Sequence, residues 1–491
     1  MGKRLLAITV TAAVAAAGGL ALPLAAPVAA SATSREATSN DFNGDGYADL
    51  VVATPKATVN GQTQAGQVAV LYGSASGVST SRSALISQNT SGVPGTAEVH
   101  DHFGSSYATG DLDGDGYTDL AVGVQDESYA DSDDPGIVQI LWGGSTGLVN
   151  GALTVHGATG AHSVYLYGSG LAVGDFDGDG RDQLAVTGNA GVSVWDDGFT
   201  RTAAAPARTE LSTGGPSGAA RGTGAMAAGD FDGDGADDLA VSGIDDLEGD
   251  EPGVWIGYYA GGADGMTYTE NPATVPLDTA HVRAAGDIDQ DGCDELVTSG
   301  PGASGAGTIA VHYGGPGGIP GSSRSALIDQ DTAGVPGVGE SGDAFGADVS
   351  IGDVTGDGHP DVAVGAPDED LGALDRAGAV WLLKGSASGL TGAGAQSFTQ
   401  DTSGVPGKAE SSDRFGYAVR LEDLSGDGHA DLTAASSGED VFDDGVHHAD
   451  GSDGVLRGSG SGLTTSGAVS FSEKAFGLTY RNKSFGSVLG G

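Results

Sequence analysis

One cysteine in 491 residues leaves the chain without an internal disulfide. A disulfide-framed fold is therefore excluded, and stability must come from packing, strand closure or bound metal. Positive charge is scarce as well: 20 Lys+Arg stand against 66 Asp+Glu, a formal net charge of −46. A chain with that field is repelled by nucleic acid and by anionic membranes. Long apolar runs are missing after the first 30 residues, so no later stretch is expected to span a bilayer. The exception, residues 1–30, has a basic start (Lys3, Arg4), an apolar core from Leu5 to Leu24 and small residues at its end. It reads as a secretory signal peptide, which implies an exported protein.

Glycine is what the chain has in quantity, 89 residues, together with short apolar strands at intervals. Disorder and a turn-dense β fold both suit that composition, and the recurring strands decide for β. The most telling stretch is Asp111-Leu-Asp-Gly-Asp-Gly-Tyr-Thr-Asp119, followed by Leu-Ala-Val-Gly. Carboxylates at positions 1, 3, 5 and 9 of a tight loop suit a hard cation such as Ca2+, which takes six to eight oxygens. The Tyr117 carbonyl can add one more. A strand rather than a helix follows, so this is a strand–loop–strand metal site and not an EF-hand.

Seven such loops start at Asp41, Asp111, Asp175, Asp230, Asp287, Asp353 and Asp423, spaced by 55 to 70 residues. Periodicity of this kind marks a repeat architecture. The expected ligands of the second loop are Asp111, Asp113, Asp115, Tyr117 and Asp119, and of the fourth Asp230, Asp232, Asp234 and Asp238. The first offers Asp41, Asn43, Asp45 and Asp49; the sixth Asp353, Thr355, Asp357 and Asp361; the seventh Asp423, Ser425, Asp427 and Asp431. The third has Asp175, Asp177, Asp179 and a neutral Gln183, and the fifth has Asp287, Asp289, Asp291 and Glu295. The fifth also carries Gln290 where the others have glycine, so its turn has to accept a side chain. Fewer charged ligands predict weaker binding.

Each unit repeats one order, namely a Phe-Gly strand, the acidic loop, an apolar strand and a third strand such as Gly136-Ile-Val-Gln-Ile-Leu-Trp-Gly. Three connectors are near copies: Gln88–Gly95, Gln330–Gly337 and Gln400–Gly407. About four strands per unit and seven units predict an all-β, seven-bladed β-propeller over residues 31–491. Phe-Gly, the acidic loop and Val362-Ala-Val-Gly-Ala-Pro367 resemble the FG-GAP repeat of integrin α-subunit propellers and of bacterial secreted FG-GAP/VCBS proteins. The resemblance covers roughly residues 40–491. Phe-Gly becomes Tyr167-Gly168 in the third unit and is absent before Asp230 and Asp287.

Closure is expected at the termini. No Phe-Gly strand precedes Asp41, and the missing piece stands at the end as Phe485-Gly-Ser-Val-Leu-Gly-Gly491. This C-terminal strand should complete blade one beside Leu50–Ala53, removing an exposed sheet edge. Phe476-Gly477 is the competing register.

Candidate catalytic groups have bland explanations. Gly143-Gly-Ser145-Thr-Gly147 fits a serine-hydrolase elbow, but its counterparts carry Ala75 and Ala387 in the serine position. Cys293 sits where only a backbone oxygen is needed, and His447-His448 lies in an acidic loop. The reading is therefore of no enzyme. The resemblance implies a secreted, monomeric, calcium-binding adhesion or binding module, with an extracellular protein or carbohydrate as partner. It implies ligand recognition on the face opposite the metal loops, where Gln125–Asp134, Asp245–Glu251, Pro367–Leu371 and Glu439–Asp444 lie. The rivals are a polysaccharide-acting enzyme with paired carboxylates in the channel, and a structural envelope protein.

Overall fold

The computed structural model describes residues 40–128, 136–148, 151–157, 166–188, 191–202, 204–211, 221–245, 253–269, 281–322, 324–442, 449–478 and 484–490. The proposed signal peptide, His447-His448 and parts of three acidic loops lie outside them. Within them, six four-stranded sheets and one three-stranded sheet form, each a simple antiparallel meander. They are the seven blades of a propeller. Among the described residues helix is limited to Gly318–Gly321 and a 3-10 turn at Glu473–Phe476.

Blade two shows the plan. Its first strand is Phe103–Gly110, its second Asp119–Val124, its third Ile137–Leu141 and its fourth Ala152–His156. The second strand is buried along its whole length, as is its counterpart Asp361–Ala366 in blade six. Neighbouring blades cover both faces, so these strands read as continuous apolar runs rather than alternating ones. Seven apolar clusters fill the seven junctions between blades.

The recurring glycines lie where backbones of successive blades touch. A Cβ on Gly365 would stand 2.0 Å from the Gly416 carbonyl oxygen, and one on Gly123 would stand 2.1 Å from that of Gly168. In these two units the glycine after the apolar run thus faces the glycine of the next unit's Tyr-Gly or Phe-Gly. The phenylalanines settle on glycines too: Gly66, Gly307 and Gly378 form bridges with Phe103, Phe345 and Phe415. Blade three uses Tyr167 in the same way against Gly136. In blades four and five, first strands form without Phe-Gly, with register shifts between Arg221 and Met226 and between Val282 and Ala284.

Phe485 plays the same part at the seam between blades seven and one. A Cβ on Gly451 would meet the Phe485 backbone nitrogen at 2.3 Å, and the Phe485 N–H donates to the Asp450 carbonyl at 2.8 Å. Ala53 bridges Val488 antiparallel, its N–H donating to the Val488 carbonyl at 3.0 Å. The C-terminal segment therefore closes blade one beside Leu50–Thr54. Phe485 and Leu489 are fully buried in the cluster between blades seven and one. The competing Phe476 ends the 3-10 turn and packs beside the Phe485 ring.

Candidate metal centre

Six acidic loops link the first strand of a blade to its second, the loop at Asp41 leads into the second strand of blade one, and the same hydrogen bonds shape all seven. The carboxylate at position 1 accepts the N–H groups of positions 5 and 6, at 2.7–3.2 Å. The position-5 carboxylate accepts the N–H of position 7, as in Tyr117 to Asp115 at 3.1 Å. These bonds curl the backbone so that side chains 1, 3 and 5 converge. Asp111, Asp113 and Asp115 each bring an oxygen within 4.8 Å of the others, as do Asp175, Asp177 and Asp179; Asp230, Asp232 and Asp234; and Asp287, Asp289 and Asp291. Loops 41, 353 and 423 carry Asn43, Thr355 and Ser425 at position 3, and so form no three-carboxylate cluster.

The residues fit a hard cation. Asp113 Oδ1, Asp289 Oδ1 and Ser425 Oγ, all at position 3, are buried oxygens without a hydrogen-bond partner. An unsatisfied buried acceptor is costly, and a cation held among oxygens would satisfy it.

Position 9 stands apart from these clusters. The Asp49 carboxylate accepts Phe42 N–H at 3.0 Å and Gly73 N–H at 2.9 Å, tying the loop to the end of the third strand. Asp119, Asp238, Asp361 and Asp431 make the corresponding bond to Gly143, Gly261, Gly385 and Gly458. Gln183 does part of this work with its amide oxygen, accepting Phe176 N–H at 2.8 Å, which explains how a neutral side chain suffices. Glu295 accepts the N–H groups of Ile288 and Asp289. Burial, followed by a backbone bond that opposes it, pushes Asp49 up to about 7 and Asp119 up to about 8. Burial and then Asp289 push Glu295 up to about 8. A nearby cation would reverse that direction.

Three features escaped the sequence reading. Loops are wired from blade to blade: the position-8 N–H of Ala48, Thr118, Asp237, Asp294 and Ala430 donates to the position-1 carbonyl of Asp423, Asp41, Asp175, Asp230 and Asp353. Asp182, Asp237 and Asp294 at position 8 also accept the N–H of Asp111, Asp175 and Asp230. The second feature is a cover over position 4. The ring of Tyr117 lies against Gly44, Tyr47 against Gly426, His429 against Gly356 and Cys293 Sγ against Gly233. Cys293 is thereby packing, and burial followed by neighbouring aspartates pushes its thiol up to about 11. The third is arginine. Arg201 of blade three bridges Asp113 at 2.6 Å and Asp115 at 2.5 Å, while Arg82 pairs with Asp45 and Arg324 with Asp289.

Two further expectations can be placed. Gln290 adopts the left-handed conformation (φ 59°) that glycine holds at position 4 elsewhere. Gly144 to Gly147 is a turn closed by Gly147 N–H on the Gly144 carbonyl at 2.7 Å, so Ser145 stands on a repeat turn. On the opposite face, described parts of the acidic loops pair with the residue before a Phe-Gly strand: Asp126 meets His102 of its own blade at 2.6 Å and Asp368 meets Arg414 of the next blade at 3.2 Å. First strands of blades five to seven bring together Arg283, Asp348, Arg420 and Glu422. Asp348 accepts Val419 N–H at 2.7 Å and Arg420 pairs with Glu422 at 2.8 Å.

The geometry defines a repeat β-propeller with an acidic loop at the same corner of every blade. The FG-GAP repeat family matches residues 33–71, 103–141 and 345–383. The chain thus carries FG-GAP repeats in three places within a seven-bladed β-propeller. Among curated proteins it is 32% identical over 151 residues to the phosphatidylinositol-glycan-specific phospholipase D of Mus musculus, covering 30% of this chain and 17% of that protein. To the Rattus norvegicus protein of the same name it is 30% identical over 160 residues, 32% of this chain and 18% of the other. The chain spans less than a fifth of these relatives. Among solved structures, an ancestral GH74 enzyme aligns with a TM-score of 0.40 at 11% identity, over 85% of this chain and 56% of that one. An Agrocybe aegerita lectin, solved for its recognition of non-reducing terminal N-acetylglucosamine, aligns at 0.39 and 14%, over 72% of this chain and 81% of the lectin.

Proposed function

We propose that the protein is a secreted, calcium-stabilised propeller that acts as a binding or adhesion module. The observation that carries this is the convergence of positions 1, 3 and 5 in four loops, with orphaned buried oxygens at position 3. A bound cation would supply charge and coordination there; the chain's own backbone supplies the frame. Because the loops of six adjacent blade pairs are hydrogen-bonded to one another, ordering one loop supports its neighbour. The opposite face is left for ligands. Among the described residues no helix is long and apolar enough to cross a membrane.

Two measurements test this. Melting in excess chelator should fall below melting in millimolar calcium, because a ligand that binds only the native state stabilises it by mass action. Equal melting in both would reduce the loops to ordinary turns. Neutralising the carboxylates of Gln125–Asp134 and Glu439–Asp444 should abolish binding to an extracellular partner without changing the calcium effect on melting. A partner bound equally well by that variant would remove the opposite-face assignment.

One observation favours a second reading, that of a glycan-cleaving enzyme. Asp348 and Glu422 are carboxylates on the channel strands, and burial raises both, with Arg283 and Arg420 opposing. Paired carboxylates of shifted acidity are what glycoside hydrolysis uses. Release of reducing sugar from polysaccharide, lost in Glu422→Gln, would establish it; no release with any substrate class returns the protein to the binding reading.

A further inference from the structure

The three copied connectors invite a blade-by-blade comparison of what packs beneath them. In blade two, Gln139 on the third strand is fully buried and donates its amide N–H to the Pro94 carbonyl at 2.7 Å. In blade six, Trp381 holds the same place, donating its indole N–H to the Pro336 carbonyl at 2.8 Å and meeting the Phe345 ring edge-on at 5.4 Å. Their register partners are Val122 and Val364. The blade-seven counterpart pairs with Ala434, and it is Gly454. A Cβ there would come no nearer than 4.0 Å to any atom, the Phe415 ring and the Ala434 carbonyl oxygen being the neighbours.

Gly454 lies on the wall of an open cavity of about 430 Å³, inside the roughly 300–1,000 Å³ range of ligand pockets. Its chemistry has changed along with its volume. Where blade two pairs Val124 with Ile137 and blade six Ala366 with Ala379, blade seven pairs Ser436 with Ser452. Ser470 and Ser472 lie opposite Gly454 and Ser452 on the fourth strand. Residues two apart share a sheet face, so these four serines point the same way as Gly454. The wall is Gln400, which donates to Glu439 at 2.6 Å while its own Oε1 is buried without a partner.

We propose that this blade-seven cavity is a binding site for a single polyhydroxylated ring, a monosaccharide unit. An aromatic guest would fill the place of Trp381 but would cover the serine hydroxyls with a ring face unable to pair with them. A sugar ring presents donors and acceptors on its rim, and an apolar face to the Phe415 ring. The proposal deepens the binding-module reading, since Gln400 and Glu439 lie on the face opposite the metal loops.

The test uses the full chain in calcium, titrated calorimetrically with glucose, galactose and N-acetylglucosamine, with indole as the contrasting probe. Saturable binding of at least one sugar is expected. Gly454→Trp, which rebuilds the blade-six arrangement, should abolish it. Should that variant fail to fold, Ser436→Ala combined with Ser452→Ala restores the apolar floor and should weaken the sugar about tenfold or more through two lost hydrogen bonds. Binding of indole alone, binding of no sugar, or sugar binding unaffected by both variants would each overturn the proposal. A variant neutralised only over Gln125–Asp134 of blade two, away from Glu439, should still bind sugar, so failure of the acidic loops as a partner surface and failure of this cavity are told apart.

Discussion

Arg201 shows what a single side chain decides. Its guanidinium spans Asp113 and Asp115, two of the converging oxygens in loop 111, and donates to the Gly143 carbonyl at 2.9 Å. The resident positive charge offsets the aspartates and also repels an incoming cation. Arg201→Ala should therefore lower melting in chelator and enlarge the gain on adding calcium, measured by thermal melting of both proteins in both conditions. A variant whose calcium response equals the parent's would show that Arg201 and the metal do not share the site. The effect should be modest, because an ion pair with Arg201 about a third exposed is screened by solvent.

Individual strands matter most at the seam. Phe485 is fully buried, with the Phe471 ring edge-on at 6.4 Å and the Phe476 ring at 5.7 Å. Deleting such a side chain typically costs about 3–5 kcal/mol. Phe485→Ala should lower the denaturation free energy by that order, and removal of residues 485–491 should lower it further while exposing the edge of Leu50–Thr54. Chemical denaturation with light scattering reads both effects. A truncated chain that melts like the parent and stays monodisperse would show that closure contributes nothing to stability.

For the whole ring, charge sets the pH response. The repeated pairs Gln88–Glu127, Gln330–Glu369 and Gln400–Glu439 bury one carboxyl each, and burial, partly opposed by the glutamine bond, pushes all three up to about 7. An unfolded glutamate titrates near about 4.3. Between those values the folded chain holds more protons than the unfolded one, so stability falls as pH rises from about 4.3 to 7 and levels off above. In chelator, melting should be higher at pH 5 than at pH 8, and Glu127→Gln, Glu369→Gln and Glu439→Gln together should flatten the slope. Melting that rises with pH over this window would contradict the assignment. The net charge of −46 acts in the same direction, since protonation relieves self-repulsion.

Local chemistry was enough to place the repeats, the propeller and the closing strand. Loop spacing and apolar runs encode contacts that recur from blade to blade, and the Phe-Gly missing before Asp41 pointed to Phe485 at the other end of the chain. The acidic residues at positions 1, 3 and 5 were legible for the same reason: a tight loop brings near neighbours in sequence together. Position 9 was not, because its carboxylate answers to backbone donors at the start of the loop and beyond the third strand, 24 residues away in blade one. Arg201 meets Asp113 across 88 residues, and Gly454 becomes meaningful only beside Trp381 and Gln139. Those relations depend on which blade stands next to which and on which side chain is absent, and only the packed ring decides them.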